Sequence, residues 1–232
     1  MAGTASSVTD PAHERLEDLR AEVVGCRRCP RLVAWREQVA REKRAAFRDQ
    51  EYWGRPVPGF GDPAAGLLVL GLAPAAHGGN RTGRVFTGDR SGDWLFASLH
   101  RTGFANQPRS VSRNDGLALT DCYVTAPVKC APPDNRPLPQ ERDNCAPWLT
   151  AELNLLDVRV VVALGAFAWD QALRHLGPVR PKPRFGHGAE APLPAGRFLL
   201  GSYHVSQQNT STRKLTEEML DSVFLRAREL VR

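Results

Sequence analysis

The segment Val158–Leu164 constrains the fold of this chain more than any other stretch of its sequence. It is rich in β-branched residues and presents a continuous apolar face. Such a run is typical of a strand that is buried on both faces, as strands of a parallel sheet are. The sequence therefore predicts a parallel sheet with this strand in its interior.

Shorter apolar segments repeat the same pattern of strand, turn and helix along the chain. Strands are predicted at Gly66–Leu70, Leu119–Thr125 and Phe198–Tyr203. Helices are predicted at Asp93–Thr102, at Leu138–Leu156, at Ala166–Leu176, and from a cap at Thr216 to Val231. Alternating elements of this kind build a sheet with helices on both faces. We therefore expect one α/β domain over residues 1–232, a three-layer α/β/α sandwich with a four-stranded parallel sheet.

The N-terminal part of the chain precedes this pattern. Residues 1–10 are expected to form a flexible tail, and Asp10 before Pro11 predicts a helix cap with the helix running to Val24. A charged helix is predicted over Val33–Arg48, and the proline-rich segments Tyr52–Pro63 and Gly177–Gly196 are predicted to be loops.

The loops that follow the predicted strands should meet at one edge of the sheet. In open α/β sheets, ligands bind beyond the carboxyl ends of the strands. This rule brings Gly71–Asp89, Pro127–Pro139 and His204–Thr212 together around one mouth.

The net charge of +6 favours a polyanionic partner, because basic proteins gain affinity from phosphate contacts. Arginine greatly outnumbers lysine, however, and this skew fits a GC-rich genome equally well. The sequence has no apolar run long enough to span a membrane and no secretory signal, so we expect a cytoplasmic protein without a membrane partner.

Four of the five cysteines suggest a metal site. Cys26 and Cys29 form a C-x-x-C pair, and Cys130 and Cys145 lie far along the chain. Together they can supply four thiolates to zinc or to an iron–sulfur cluster. A redox pair is the alternative, but this C-x-x-C follows a helix rather than a strand. Cys122 lies in a predicted strand and is expected to be a core residue.

Two loops are rich in groups that suit chemistry. Gly71–Asp89 contains many glycines, which let backbone amides approach a ligand, but it matches neither a P-loop nor a dinucleotide fingerprint. His204 stands where the last strand ends, a position suited to a catalytic group, although a core histidine is commoner. The polar residues after it suit phosphate contact or insertion into a duplex; these are Ser206, Gln207, Gln208 and Asn209.

Five motifs in register resemble the family 5 uracil-DNA glycosylases. They are Gly71-Leu-Ala-Pro-Ala75, Asn80-Arg-Thr-Gly-Arg-Val-Phe-Thr-Gly-Asp89, Lys129-Cys-Ala-Pro-Pro133, His204-Val-Ser-Gln-Gln-Asn-Thr210 and the four cysteines. The resemblance covers the chain from about Leu16 onward, and it implies a monofunctional enzyme that flips uracil out of double-stranded DNA and hydrolyses its glycosidic bond.

The resemblance also implies roles for particular residues. It makes Cys26, Cys29, Cys130 and Cys145 the ligands of a structural [4Fe–4S] cluster. It makes His204 a hydrogen-bond donor to O2 of the departing base, assisted by backbone amides of the loop after the first strand. These amides belong to Leu72 and Ala73, and Phe86 would stack on the base, unless it is simply a core residue.

Three positions depart from the pattern of the superfamily. Ala73 replaces an acidic or amide side chain that orients the attacking water, so Asn80 is the first candidate for that task, with His77 and Asn135 as weaker ones. Asn80 fits equally well as a residue that only fixes the loop. Ala126 replaces an asparagine that reads the pyrimidine edge, and Arg213 stands where glycine is expected.

A pocket without that asparagine discriminates less between bases. We therefore expect removal of uracil, hydroxymethyluracil, ethenocytosine and hypoxanthine. We also expect the enzyme to be a monomer. A noncatalytic iron–sulfur sensor and a relative that crosslinks to abasic sites through a histidine are the alternatives.

Overall fold

The structure is a computed structural model, and it describes residues 11–232. The flexible tail predicted for residues 1–10 and the helix cap predicted at Asp10 lie outside this range. The helices are α1 (Pro11–Gly25), α2 (Pro30–Glu42), α3 (Gly79–Thr82), α4 (Arg90–Arg101), α5 (Pro139–Leu155), α6 (Ala166–Leu176), α7 (Gln207–Ser211) and α8 (Glu217–Val231). The strands are β1 (Phe60–Gly61), β2 (Leu67–Leu70), β3 (Cys122–Thr125), β4 (Val160–Leu164), β5 (Glu190–Leu193) and β6 (Arg197–Ser202).

The described part of the chain forms one sheet in the order β1-β3-β2-β4-β6-β5. The four central strands are parallel, with Val69 of β2 paired to Val124 on one side and to Val162 on the other. These four are the predicted strands, so the predicted fold class is confirmed. The sheet has six strands because β1 and β5 add an antiparallel partner at each edge.

Alternate residues of the central strands pack against helices on opposite faces of the sheet. Leu68 and Val161 pack with α1, α5 and α6, whereas Val69 and Val162 pack with α4 and α8. Because side chains alternate along a strand, strands that are apolar at every position need a helical layer on each face. The result is the expected three-layer arrangement.

Helix ends follow local chemistry. Asp89 accepts a hydrogen bond from the Gly92 amide and begins α4, three residues before the predicted start. Helix α2 begins at Pro30 rather than Val33. It ends at Glu42 rather than Arg48, because Lys43 takes a left-handed conformation with φ 54°. Among the helices of the described residues, we find none with the length and apolarity needed to cross a membrane.

Candidate active site

A cavity of about 360 Å³ opens where the parallel strands end. Three of its walls follow strands: residues 72–75 follow β2, Ala126 follows β3, and His204 follows β6. The remaining lining residues are Val85, Phe86, Asp89, Ser91, Asn135, Ser206 and Gln207. Its size and its mixture of apolar walls with a few polar groups are those of a small-molecule site.

His204 is half-buried in the cavity wall, and a hydrogen bond to its backbone carbonyl holds it in place. The side-chain amide of Asn209 donates a hydrogen bond to the carbonyl oxygen of His204 at 2.8 Å. Burial lowers the pKa of His204 below its ordinary value of 6.5. The imidazole is therefore neutral at pH 7 and carries one N–H that can donate to a ligand.

Phe86 lines the cavity beside His204, with 6.3 Å between the two ring centroids. Its backbone is left-handed, with φ 49°, a conformation that residues other than glycine adopt mainly where surrounding structure enforces it. The ring lies over Gly71, where a Cβ atom would come within 2.7 Å of it. Glycine at position 71 thus lets the ring lie against the end of β2.

Asp89 is the one carboxylate among the described residues that line the cavity. Burial raises its pKa above the ordinary value, although hydrogen bonds from the backbone amides of Gly92 and Ser91 partly offset the rise. Asp89 ends one of the sequence motifs, but no role was predicted for it. Its position directly before a helix was the available signal, since aspartate is a preferred helix cap.

Asn135 reaches the cavity from the loop before α5. Both Asp134 and Asn135 have φ 54°. Two successive left-handed residues other than glycine are costly, and such strain concentrates at functional sites. The structure thus brings Asn135, predicted as a weaker candidate, directly to the cavity wall.

Asn80 and His77 lie elsewhere. Asn80 is fully buried and its amide nitrogen donates to the carbonyl oxygen of Arg36 at 3.2 Å. The Nδ1 atom of His77 shares a hydrogen bond with the hydroxyl of Tyr52 at 3.0 Å. Neither is among the residues that line the cavity, so the geometry favours the loop-fixing alternative for Asn80.

The segment after His204 forms the short helix α7. Ser206 caps it, and Ser206 and Gln207 line the cavity, whereas Gln208 is exposed to solvent. Asn209 instead holds the His204 backbone. Arg213, which stands where glycine was expected, is exposed and has φ 54°, so the chain does adopt here the left-handed turn that glycine favours.

A buried ion pair anchors the loop that carries Phe86. The guanidinium of Arg84 contacts Asp115 at 2.7 Å, with side-chain exposures of 4% and 7%. Arg84 also donates to Ser110 at 2.6 Å and to Thr87 at 3.0 Å. Burial by itself would raise the pKa of Asp115, but hydrogen bonds from Arg84 and from backbone amides hold it below its ordinary value.

Cys26, Cys29, Cys130 and Cys145 line one small cavity between α1, α2, the loop after β3 and α5. All are free thiols. Three of the sulfurs receive N–H groups: Cys130 from the Arg36 guanidinium at 2.8 Å, Cys145 from the Lys129 amide at 3.4 Å, and Cys29 from Asn144 at 3.6 Å. No set of three His, Cys, Asp or Glu side chains within residues 11–232 is arranged to hold a single metal ion. Cys122 is buried in the core, as predicted.

Comparison with known proteins identifies the family. The sequence model of the family described as "Uracil DNA glycosylase superfamily" matches residues 58–228, which include every strand of the sheet. The chain belongs to the uracil-DNA glycosylase superfamily.

Within this superfamily, several proteins named type 5 are similar to the chain over most of its length. The chain is 56% identical over 233 residues to a "Type-5 uracil-DNA glycosylase" of Mycobacterium tuberculosis, covering 99% of this chain and 84% of that protein. A protein of the same name from Thermus thermophilus is 54% identical over 209 residues, covering 90% and 94%. Another from Pyrobaculum aerophilum is 48% identical over 211 residues, covering 91% of each. The family expected from the sequence motifs is confirmed.

Proposed function

We propose that this chain is a DNA-repair enzyme that removes uracil from DNA by hydrolysing the N-glycosidic bond. The observation that carries the proposal is the shared cavity, because its wall combines a neutral histidine, an aromatic ring and a carboxylate. Those are the groups needed to stabilise a departing base, to hold it, and to direct water at the sugar.

The reaction begins with a nucleotide that has left the duplex, since the bond to be cleaved is not accessible in the stacked helix. The base enters the cavity and stacks on Phe86. The N–H of neutral His204 donates to O2 of the base, where negative charge grows as the C1′–N1 bond breaks. This interaction is stronger in the transition state than in the ground state and therefore accelerates cleavage.

Water completes the reaction by adding to C1′ of the sugar. Ala73 lines the cavity but has no polar side-chain atom, so another group must direct the water. We assign this role to the carboxylate of Asp89, with Asn135 as a second polar group facing the same space. Asp89 accepts a proton from the water and releases it to solvent, and the departed base anion takes up a proton. The DNA strand stays intact.

The breadth of the substrate range follows from two small residues. Ala73 and Ala126 both line the cavity, and neither offers a polar atom beyond its backbone to test the edge of the base. A site that leaves no buried polar group unpaired with a wrong base rejects it weakly. We therefore infer that hypoxanthine, hydroxymethyluracil and ethenocytosine in double-stranded DNA are also substrates.

The four-cysteine cavity fits a [4Fe–4S] cluster. Four unbridged thiols face one space, and N–H groups directed at three of them suit sulfur atoms that carry negative charge. Cys26, Cys29, Cys130 and Cys145 would hold the cluster, which would crosslink the N-terminal helices to the loop after β3. Cys130→Ala should lose iron and its visible absorbance on anaerobic purification, whereas Cys122→Ala should keep both. Iron-free wild-type protein would overturn the assignment.

A uracil-containing duplex tests the function directly. Incubation followed by alkali should cut the strand at the uracil, and incubation without alkali should leave it whole. Absence of cutting after alkali would contradict the enzyme and favour a noncatalytic DNA-binding protein. Cutting before alkali would contradict a purely hydrolytic mechanism. Parallel duplex and single-stranded substrates establish which form the enzyme prefers.

A further inference from the structure

A second cleft, of about 320 Å³, is polar and basic. It lies near the cavity lined by His204, Phe86 and Asp89, which we call the base cavity. Three arginines line it, namely Arg55, Arg81 and Arg113. Glu51 is the one carboxylate among the described residues in its wall. The cleft therefore carries more positive than negative charge.

Arg81 forms the floor of the cleft and is buried. Its guanidinium donates to the carbonyl oxygen of His77 at 2.7 Å and to that of Gly88 at 2.6 Å. A third bond goes to the amide oxygen of Gln50. All three acceptors are neutral, so none of them cancels the charge of Arg81. An arginine keeps its charge in proteins, and the floor is therefore a fixed source of positive potential.

Arg55 and Arg113 form the exposed walls of the cleft and stack on the same ring. Their guanidinium carbons lie 5.7 Å and 4.7 Å from the centre of the Trp53 ring. Neither forms an ion pair with another described residue. Stacking holds a guanidinium plane while its N–H edge stays available, and that edge matches the geometry of a phosphate.

The cleft and the base cavity lie close to each other. Thr82 lines the cleft and Phe86 lines the cavity, and four residues of chain span at most about 14 Å. Arg81 also contacts the carbonyl oxygen of Gly88, next to Asp89 in the cavity wall. One strand of DNA rises about 3.4 Å per nucleotide, so the cleft lies within about four nucleotides of a base held in the cavity.

We propose that this cleft binds a backbone phosphate of the DNA strand that supplies the flipped nucleotide. The inference rests on the proposed function, because it places the DNA by the base cavity. Arg55 and Arg113 donate hydrogen bonds to the phosphate oxygens, and the charge of Arg81 at the floor of the cleft attracts the phosphate. Glu51 opposes the charge of the phosphate and keeps this contact weak enough for the protein to move along DNA.

The test compares four variants and one control variant with the wild type. The guanidinium donors to the phosphate are removed in Arg55→Ala, in Arg113→Ala and in their double variant. The opposing negative charge is removed in Glu51→Gln. Arg197→Ala is the matched control, because Arg197 begins β6 and so lies at the opposite edge of the sheet from the cavity. Circular dichroism and thermal unfolding check that each variant is folded, and DNA affinity is read only for variants that unfold like the wild type.

Affinity for an undamaged duplex is measured over a range of salt concentrations. Each phosphate contact that is lost should flatten the plot of log K against log salt by about 0.9. The double variant should show this flattening for every DNA sequence, Arg197→Ala should not, and Glu51→Gln should bind more tightly. An unchanged slope in the double variant would overturn the proposal. This readout needs no excision, so failure of the enzyme to remove uracil would leave it interpretable.

A second measurement locates the phosphate. Single phosphates around a uracil are replaced one at a time by uncharged methylphosphonates. Within about four nucleotides of the uracil, one replacement should weaken binding by the wild type but not by the double variant. Equal sensitivity of the two proteins at every position would contradict the assignment.

Discussion

The side-chain amide of Asn80 donates a hydrogen bond to the backbone carbonyl of Arg36, 44 residues earlier in the chain, at 3.2 Å. Arg36 in turn donates from its guanidinium to the sulfur of Cys130 at 2.8 Å. The loop that lines the base cavity is thus tied to α2, and α2 is tied to the four-cysteine cavity. These two hydrogen bonds connect the four-cysteine cavity physically to the loop that lines the base cavity.

Replacement of Asn80 by alanine should therefore act on stability first. The variant removes one buried hydrogen bond to the Arg36 carbonyl, which costs about 0.5–1.5 kcal/mol in the free energy of unfolding. Denaturant titration measures this loss directly. Excision should fall only to the extent that the loop loses its position. A large loss of turnover with unchanged stability would instead assign the water-orienting role to Asn80.

Replacement of His204 by alanine should slow excision by about 100- to 1000-fold, the usual effect of removing one donor to a developing anion. DNA affinity should survive, since the change lies inside the cavity. His204→Gln keeps a neutral N–H donor and should recover part of the rate. Because burial lowers the pKa of His204 below 6.5, the rate should not depend on its titration between pH 7 and pH 8. Single-turnover assays of the three proteins check this, and equal rates would refute the role.

Replacement of Asp89 by asparagine separates its role as the cap of α4 from its proposed role as the proton acceptor. Asparagine also caps helices, so α4 and the stability should be retained. The base that accepts a proton from water is lost, and excision should fall by about 100-fold or more.

The pH dependence of the same reaction gives a second readout. The carboxylate works only when ionised, and burial raises its pKa. Wild-type activity should therefore decline, as the pH falls, at a higher pH than an exposed aspartate would cause, and Asp89→Asn should lose this decline. Asp93→Asn is the matched control, because Asp93 is exposed in the same first helical turn and outside the cavity. Equal losses in both variants would indicate a structural effect.

Replacement of Ala126 by asparagine should narrow the substrate range. The added amide faces the base and is left unpaired by a wrong one, so the ratio of uracil to hypoxanthine excision should rise by at least about tenfold. Ala126→Leu adds similar volume without polar atoms and should slow both reactions together. Rates on matched duplexes give the ratio, and an unchanged ratio for Ala126→Asn would show that this position does not read the base.

The fold was largely predictable because its strongest signals are local. Helix α6 has the predicted bounds Ala166–Leu176, and Thr216 caps α8 as expected, accepting from the Met219 amide at 3.2 Å. The four parallel strands were identifiable because burial on both faces demands continuous apolar runs. The two edge strands could not be identified from the sequence. Strand β1 has two residues, and β5 contains Pro192, so neither has a readable pattern.

The site was predictable in part. His204 and Phe86 were identified from motifs, Asn135 was named as a weaker candidate, and the structure brings all three to one cavity. Asn80 was the first candidate to direct the water because it belongs to the same loop, and a role in fixing that loop was predicted as an equal alternative. Its inward orientation depends on packing against α2, which no local pattern reveals. Asp89 was missed for a similar reason. Its suitability as a helix cap can be read locally, but its exposure to the cavity depends on how α4 packs against the loops.

The antiparallel strands at the two edges of the sheet have a consequence for the protein in a crowded cell. An open strand edge is a template on which another chain can pair and aggregate. Here one edge is only two residues long, and the other contains Pro192, which has no amide hydrogen to offer. Both features disfavour the growth of a hydrogen-bonded ladder between molecules. The two ends of the sheet are therefore poor templates for strand-by-strand aggregation of neighbouring copies.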